Sequence, residues 1–208
     1  SDVCSSDLQR VLRSRYVLRN KNAGLVDDKG SPLALRAKAR LCIQGQFDPD
    51  SASGNIQLDA PTVQHTSLLV FLHCVISFGW LDNWFSGDIS SAFLQGKPSS
   101  GQPLYMYQPS QGIPGCDKGQ IFKLIRPVYG RPDAPRAWYE ALSGFIMEVM
   151  KYERSIIDPA LFIKRDGNGN PISLIVIHVD DLMVAGCDCD ENRNCLLLLL
   201  KQRFPFGE

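Results

Sequence analysis

Residues 173–186, which read SLIVIHVDDLMVAG, form an apolar run that is interrupted by two adjacent aspartates, Asp180 and Asp181. The branched apolar residues on each side of the pair predict two strands, and the short connection between them predicts a tight hairpin turn. Two carboxylates in contact repel each other by about 1 to 4 kcal/mol, depending on the local dielectric. Because Mg²⁺ prefers carboxylate and phosphate oxygens, a bound cation would remove this repulsion. The pair is therefore compatible with a metal site, but taken alone it favours an ordinary aspartate-rich turn.

A third carboxylate favours the metal site over the ordinary turn. Asp88 lies at the end of a predicted strand in the segment WFSGDISSAFLQG, residues 84–96. If this strand lies beside the hairpin, Asp88 comes against Asp180 and Asp181. A cluster of this kind can hold two metal ions roughly 3.5 to 4 Å apart, an arrangement that suits in-line displacement at a phosphoryl group.

Hydrophobic periodicity in the rest of the chain predicts an α+β fold. An amphipathic helix is expected over residues 133–153, with its start set by Pro135. A second helix is expected over residues 66–79, which are apolar nearly all round and therefore predict full burial. Short strands separated by turn signals predict an antiparallel sheet with helices packed on one face. The apolar face of the first helix is formed by Trp138, Leu142, Phe145, Ile146 and Val149.

Positive charge is concentrated near the start of a chain whose formal net charge is zero. Residues 10–45 contain nine basic residues and two acidic ones. The alternating residues of segments 14–20 and 23–45 predict two strands. The turn sequence DKGSP at 28–32, within the second segment, is expected to join them. Such a basic hairpin suits the binding of a polyanion, and a solvated surface without a ligand is the alternative.

Four segments, in this order along the chain, resemble the reverse transcriptases of copia-like LTR retrotransposons. AKARLCIQG resembles the family's fingers motif KARLVAKG, and GDISSAFLQG resembles DVKTAFLNG. VYGRPDAPRAWY resembles LYGLKQAPRAWY, and IHVDDLMVAG resembles the YVDD box. The resemblance covers residues 12–208. It implies the palm of a right-hand polymerase together with a fingers subdomain, with the thumb absent because the chain stops at FPFGE.

The resemblance also implies a division of the chain. We expect a non-native or disordered leader at residues 1–9, fingers at 10–86 with the basic hairpin and first helix, and the first palm segment at 87–96. A fingers-to-palm connection is expected at 97–137, followed by the rest of the palm at 138–208, truncated before the thumb.

The resemblance assigns the catalytic acidic triad to Asp88, Asp180 and Asp181. Asp88 and Asp180 are expected to be the firmer metal ligands, with Asp181 weaker or indirect, and the Ile89 carbonyl is expected to face the same metal. The implied cofactor is a pair of Mg²⁺ ions, for which Mn²⁺ is a substitute.

Substrate contacts follow from the same matches. Nucleotide binding is expected at four positions: Lys38, Arg40, Phe93 and Arg136. Nucleic-acid contacts are expected at Gln95, Gly96 and His178. Surface solubility is the alternative for Lys38 and Arg40, and a core aromatic is the alternative for Phe93.

The chain departs from the family pattern in three places, none of which removes a carboxylate. His178 replaces the usual tyrosine before Val-Asp-Asp, and Ser90-Ser91 replaces Lys-Thr. The segment 131–133, Arg-Pro-Asp, replaces Leu-Lys-Gln before Ala-Pro-Arg.

The resulting hypothesis is a fragment of an RNA-directed DNA polymerase that transfers nucleotides from dNTPs to a primer 3′-hydroxyl. An inactive retroelement remnant that only binds nucleic acid is the first alternative, and a metal-dependent phosphodiesterase or nuclease is the second. The expected partners are an RNA or DNA template with its primer, a dNTP, and the thumb, RNase H and integrase of a longer Pol polyprotein.

An intracellular location is expected, in the cytoplasm within a virus-like particle, with the nucleus as a further location of the parent element. The seven cysteines are scattered and odd in number, which favours a reducing setting. No apolar stretch reaches the roughly 18 residues of a membrane span, so we expect no membrane contact.

Overall fold

The computed structural model describes residues 7–52, 54, 57–98, 102–188 and 197–207. The described helices are α1 (Pro49–Ala52), α2 (His65–Ser77), α3 (Ala134–Glu148) and α4 (Leu197–Arg203). The described strands are β1 (Val11–Leu12), β2 (Ser14–Asn20), β3 (Ala37–Ile43), β4 (Trp84–Asp88), β5 (Leu104–Tyr107), β6 (Ile121–Leu124), β7 (Glu153–Arg154), β8 (Leu161–Arg165), β9 (Pro171–His178) and β10 (Asp181–Gly186).

The chain forms two compact units, residues 1–57 with 98–134 and residues 58–97 with 135–208. These units divide the chain differently from the expected segments, because residues 58–86 belong with the five-stranded sheet and not with the basic hairpin. The names fingers and palm therefore stay a prediction.

The first unit contains the antiparallel pair β2-β3 and a three-stranded sheet in the order β1-β5-β6. The predicted basic hairpin is present, but its strands end at Asn20 and Ala37 and do not reach the tight turn. In the long connection, Val26 bridges Pro32, and the Asp27 carboxylate accepts the amide of Ser31 at 2.8 Å. The core of this unit is formed by Leu12, Ile43, Leu104, Met106 and Leu124.

The second unit contains an antiparallel five-stranded sheet in the order β4-β10-β9-β8-β7. The apolar run of β9 sends alternate side chains to opposite faces. Ile175 and Ile177 belong to the hydrophobic cluster that includes Trp138 of α3 and Leu200 of α4. The expectation that helices pack on one face is wrong, because the opposite face carries a second apolar cluster.

This second cluster joins Leu174 and Val176 of β9 to Phe71 and Val75 of α2. The physical reason is visible in β9, where residues 173–177 are buried without interruption. An unbroken apolar run is typical of a strand that is covered on both faces, whereas a half-exposed strand alternates with polar residues.

Helix α3 confirms the predicted amphipathic helix, with Trp138, Leu142 and Ile146 buried. Val149 is 50% exposed, contrary to its place on the predicted apolar face. The helix ends at Glu148, and Met150 occupies the buried position instead. Lys151 then takes a left-handed φ of 61°, a conformation that is common just after the end of a helix.

Helix α2 lies where the second helix was predicted, but the prediction of full burial is wrong. Ser67, Phe71 and Val75 are its buried residues, and they form one stripe at a spacing of four. Four of its large apolar side chains are instead exposed: Leu69, Val70, Leu72 and Ile76. An apolar composition all round thus did not distinguish a helix buried on every side from one packed on a single face.

Parts of the chain near both ends lie outside the described residues. Residues 1–6 of the expected leader lie outside the described residues, whereas Asp7–Arg10 forms a 3-10 turn. The expectation of a non-native or disordered leader at residues 1–9 stays a prediction. At the other end, residues 189–196 lie outside the described residues, and α4 begins the last described segment at Leu197. None of the described helices is long and apolar enough to span a membrane.

Candidate functional site

Strands β4 and β10 place two of the predicted aspartates directly opposite each other. They pair in antiparallel register, with Asp88 the cross-strand partner of Asp181. Directly opposite residues in such a pair have Cβ atoms about 4.5 to 5.5 Å apart and point to the same face. Two carboxylates that are far apart in sequence are therefore held within reach of one cation.

The third aspartate lies in the turn of the β9-β10 hairpin. His178 pairs with Asp181, so Val179 and Asp180 form a two-residue turn. Val179 has a φ of 60°, a left-handed conformation that is costly for a β-branched residue. The Val179 carbonyl accepts a hydrogen bond from the Trp138 indole at 2.7 Å, which stabilises the turn from within the core.

The backbone around Asp88 is held on two sides. The amide of Ile89, which is 1% exposed, donates to the Asp180 carbonyl at 2.9 Å. On the other side, the Gly207 amide donates to the Asp88 carbonyl at 2.8 Å. A Cβ on Gly207 would lie 2.8 Å from Oδ2 of Asp88, so the absence of a side chain makes room for that carboxylate. The predicted role of the Ile89 carbonyl is untested by these contacts and stays a prediction.

The carboxylates fit a divalent cation as a pair. Asp88 and Asp181 are exposed and Asp180 is half-buried. Mg²⁺ is commonly held by one or two carboxylates together with substrate phosphates, which is the chemistry that this pair offers. Within the described ranges, no group of three or more His, Cys, Asp or Glu side chains is arranged to hold a metal ion. The structure thus brings Asp88 and Asp181 together without a preformed three-carboxylate cluster, and the catalytic and metal roles stay predictions.

A cleft of about 360 Å³ opens beside Asp181. Its polar lining comes from Ser86 of β4, His178 of β9 and Asp181 of β10, which are neighbouring strands. Its apolar lining is formed by Val63, Leu68, Val176, Leu182 and Met183. Ser86 and Met183 were not predicted as site residues, although their two-residue spacing from Asp88 and Asp181 places them on the same face of the sheet. The lining of the cleft thus combines polar and apolar side chains.

Three predicted residues after Asp88 have structural contacts. Phe93 is half-buried and packs against the core cluster below the sheet. The Gln95 side-chain amide donates to the Ser90 carbonyl at 2.8 Å and so braces the turn after Asp88. Gly96 is buried, and a Cβ there would lie 3.1 Å from the amide nitrogen of Trp138. Contacts with nucleotide or nucleic acid stay predictions for all three.

Arg136 is engaged within the protein. Its Nε donates to the Glu140 carboxylate at 2.7 Å, and one terminal nitrogen donates to the Asp59 carbonyl at 3.1 Å. A contact between Arg136 and a bound nucleotide would have to share or replace these hydrogen bonds.

Lys38 and Arg40 belong to the first unit, on strand β3. Lys38 is half-buried and Arg40 is exposed. The Arg40 guanidinium carbon lies 5.4 Å from the centroid of the Tyr129 ring, within the range of a cation-π contact. Their predicted contact with the triphosphate is not tested by these positions.

A buried carboxylate anchors the second unit below the cleft. Asp158 is 1% exposed, and its two oxygens accept the amides of Gln64 and Ala160, each at 2.9 Å. Although burial raises the pKa of Asp158, hydrogen bonds from Ser67, Gln64 and Ala160 hold that pKa below its ordinary value. The carboxylate therefore ties the start of α2 to the start of β8.

Comparison with known proteins gives a family. A family model described as reverse transcriptase (RNA-dependent DNA polymerase) matches residues 7–206. The retrovirus-related Pol polyprotein from transposon TNT 1-94 of Nicotiana tabacum is 29% identical over 180 residues, which cover 86% of this chain and 13% of that protein. The corresponding polyprotein from transposon RE1 of Arabidopsis thaliana is 29% identical over 153 residues, covering 74% of this chain and 10% of its own length.

The transposon RE2 polyprotein of Arabidopsis thaliana is 29% identical over 173 residues, covering 83% of this chain and 11% of that protein. The chain thus spans between 10% and 13% of the length of these relatives. No solved structure is significantly similar to it. The resemblance inferred from the four sequence motifs is confirmed, and the chain belongs to the reverse transcriptase (RNA-dependent DNA polymerase) family.

Proposed function

We propose that this chain forms the fingers and palm of an RNA-directed DNA polymerase from a retrotransposon Pol polyprotein. The observation that carries the proposal is the pairing of Asp88 with Asp181 at the sheet end where Asp180 occupies the turn. The family match over residues 7–206 supports the same reaction class.

The reaction is nucleotidyl transfer to a primer. The primer 3′-hydroxyl attacks the α-phosphate of a dNTP, a new P–O bond forms, and the bond to the β-phosphate breaks to release pyrophosphate. Little covalent chemistry is required of the protein, so its contribution is positioning and electrostatic stabilisation.

Asp88 and Asp180 are the proposed principal ligands of two Mg²⁺ ions, and Asp181 is a weaker or indirect one. When bound, Mg²⁺ or its substitute Mn²⁺ supplies activation of the attacking hydroxyl and neutralises charge on the phosphates. The protein contributes a rigid frame, since the Ile89 amide is bonded to the Asp180 carbonyl and Leu182 beside Asp181 is buried.

The remaining predicted residues take substrate roles in this proposal. Lys38, Arg40 and Arg136 would contact the nucleotide phosphates as fixed positive charges. Phe93 would pack under the deoxyribose while its other side rests on the core. Nucleic-acid contacts would fall to Gln95, Gly96 and His178, of which His178 is exposed and lines the cleft.

Base pairing with the template, rather than protein contacts, would select the nucleotide. The protein would hold the sugar-phosphate backbone with little sequence preference, and binding would weaken with salt. The partners proposed for the parent protein are the thumb, RNase H and integrase of the polyprotein, within a cytoplasmic particle or the nucleus.

Primer extension tests the proposal. The chain is incubated with poly(rA)/oligo(dT), dTTP and Mg²⁺ or Mn²⁺, and extension by the wild type is compared with Asp180→Asn. We expect extension to fall by about 100-fold or more in the variant, because a principal metal ligand is lost. Asp82→Asn, a substitution of an exposed aspartate in the 3-10 turn before β4, serves as the matched control. Binding of the duplex without any Asp180-dependent extension would contradict the proposal.

A further inference from the structure

Helix α2 carries apolar side chains on two opposite sides. Phe71 and Val75 are buried in the cluster that α2 forms with the sheet. Leu69, Leu72 and Ile76 are exposed instead. Spacings of three and four residues put these three side chains in one row along the helix, which we call the outer stripe. A helix that is apolar on both sides is typical of one that is covered on both sides.

The exposed apolar area is that of a protein interface. The three side chains of the outer stripe and three that follow the helix are between 39% and 66% exposed: Leu69, Leu72, Ile76, Phe78, Leu81 and Trp84. Together they expose roughly 650 Å², whereas the largest apolar patch of a typical monomer is about 300 to 600 Å². A standard interface buries about 800 Å² on each partner. The area is therefore close to what a stable dimer needs.

The segment that carries the outer stripe has no fixed charge. Residues 60–81 contain no Asp, Glu, Lys or Arg. His73 lies beside the stripe, and its Nε2 is 3.3 Å from Oγ of Ser77, so that nitrogen would keep a partner when buried. In a two-fold dimer the same surface meets itself, and any charge on it would face a like charge. An uncharged apolar stripe is therefore complementary to a second copy of itself.

We propose that the outer stripe is the interface of a two-fold homodimer in which the α2 helices of two chains pack in antiparallel orientation. In this arrangement Leu69 of one chain faces the partner's Ile76, and the two Leu72 side chains meet near the axis. The dimer accounts for the apolar composition of α2 on both sides. The inference goes beyond the proposed polymerase function and does not depend on it, because it uses only residues outside the proposed metal site.

The dimer is expected to be weak and reversible. The centre of the outer stripe lacks the aromatic and arginine anchors that dominate tight interfaces, so we expect a Kd on the order of 50 µM. At about 1 µM, the concentration of an unfolding measurement, most chains are therefore monomers. Substitutions on the outer stripe should be close to neutral for the stability of the dilute chain, and should act on association instead.

Sedimentation velocity tests the dimer directly. The whole chain is measured over about 1 to 200 µM, and we expect its mass to rise from that of a monomer toward that of a dimer. Leu69→Lys/Ile76→Lys should raise the Kd by about 100-fold, because the introduced like charges face each other across the two-fold axis. Thermal unfolding at about 1 µM checks that the variant keeps the fold of the monomer.

The matched control adds the same charges at other exposed apolar positions. Ile156 and Ile157, in the loop between β7 and β8, are 102% and 85% exposed. Ile156→Lys/Ile157→Lys should therefore dimerise with the wild-type Kd. A mixture of Leu69→Lys/Ile76→Lys with Leu69→Glu/Ile76→Glu supplies a second test, because opposite charges then face each other and should restore association.

Three results would overturn the proposal. A wild-type chain that stays monomeric at about 200 µM would mean that a second copy does not cover the outer stripe. A dimer with the same Kd in the wild type and in Leu69→Lys/Ile76→Lys would place the interface on another surface. A mixture of the Lys and Glu variants that does not associate would show that the stripe does not pair with itself.

Discussion

Asp88 and Asp181 are direct cross-strand partners at the end of the sheet where β4 stops and β10 begins. This register is fixed by the core, because Leu182 and Val184 of β10 are buried against the helix α3 face. A slip of one residue would turn the buried set outward and carry Asp181 to the opposite face. The packing of apolar side chains therefore determines which carboxylates meet.

Gly207→Ala is expected to weaken metal binding. The new Cβ would lie 2.8 Å from Oδ2 of Asp88 and displace that carboxylate. The affinity for Mn²⁺, measured from the electron paramagnetic resonance signal of the free ion, should fall by roughly tenfold, the lower end of the effect seen when groups that position a metal ligand are altered. Gly144→Ala is the control, since its Cβ would meet nothing closer than 3.8 Å. Equal Mn²⁺ affinities in Gly207→Ala and Gly144→Ala would contradict the role of Gly207 in leaving room for the Asp88 carboxylate.

Trp138→Phe should disturb the turn that carries Asp180. The variant keeps an aromatic ring in the core but loses the 2.7 Å hydrogen bond to the Val179 carbonyl. We expect a loss of about 2 to 3 kcal/mol in the free energy of unfolding, because the smaller ring also leaves a cavity, together with slower primer extension. Tyr139→Phe loses a hydrogen bond of the same length to the Pro159 carbonyl and is the matched comparison. If both variants extend primers equally, the hydrogen bond from Trp138 to the Val179 carbonyl does not contribute to positioning Asp180.

Asp158→Asn should change how stability depends on pH. The pKa of Asp158 is held below its ordinary value, so its stabilising effect is complete above the unfolded pKa and is lost as pH falls through the folded pKa. The wild type should therefore lose stability below about pH 4, and the variant should show a shallower loss. Near neutral pH, the variant should be less stable by about 1 to 3 kcal/mol, because an amide cannot accept both backbone hydrogen bonds. Urea unfolding across this pH range measures both effects, and parallel curves would refute them.

The two faces of α2 should respond differently to substitution. Phe71→Ala removes a fully buried ring from the second cluster and should cost about 3 to 5 kcal/mol of unfolding free energy. Ile76→Thr alters a side chain that is 66% exposed and should change stability by no more than about 0.5 kcal/mol. Thermal or urea unfolding of the two variants makes the comparison. A large loss in Ile76→Thr would mean that this face is covered in solution.

Much of the candidate site could be predicted from the sequence. The apolar run around Asp180 and Asp181 has the length and branching of two strands, and Asp88 ends a third. Asp88 comes close to the pair if the third strand lies beside the hairpin. The register of β4 and β10 confirms that the two strands are neighbours. The start and buried stripe of α3 followed from its period in the same way.

Other features of the site and of α2 could not be predicted from the local sequence. The pairing of Pro205 with Ser90 and of Gly207 with Asp88 depends on tertiary contacts, since the segment FPFGE has no strand periodicity. The exposed side of α2 could not be recognised, because its composition is the same on both sides.

The structural role of Arg-Pro-Asp at residues 131–133, where the sequence departs from the family pattern, is visible only in the structure. Arg131 is buried, and its Nε donates to the carboxylate of Asp133 at 2.6 Å. The two unusual charges therefore form an internal ion pair, which a sequence pattern does not reveal.

Iron-directed cleavage tests most directly whether distant carboxylates share one metal site. Fe²⁺ replaces Mg²⁺, and hydroxyl radicals generated with peroxide cut the chain next to the bound ion. We predict cuts in two places, near residue 88 and near residues 180–181, both suppressed by excess Mg²⁺ and lost in Asp88→Asn. Cleavage confined to one of these places, or unaffected by Asp88→Asn, would contradict a shared site.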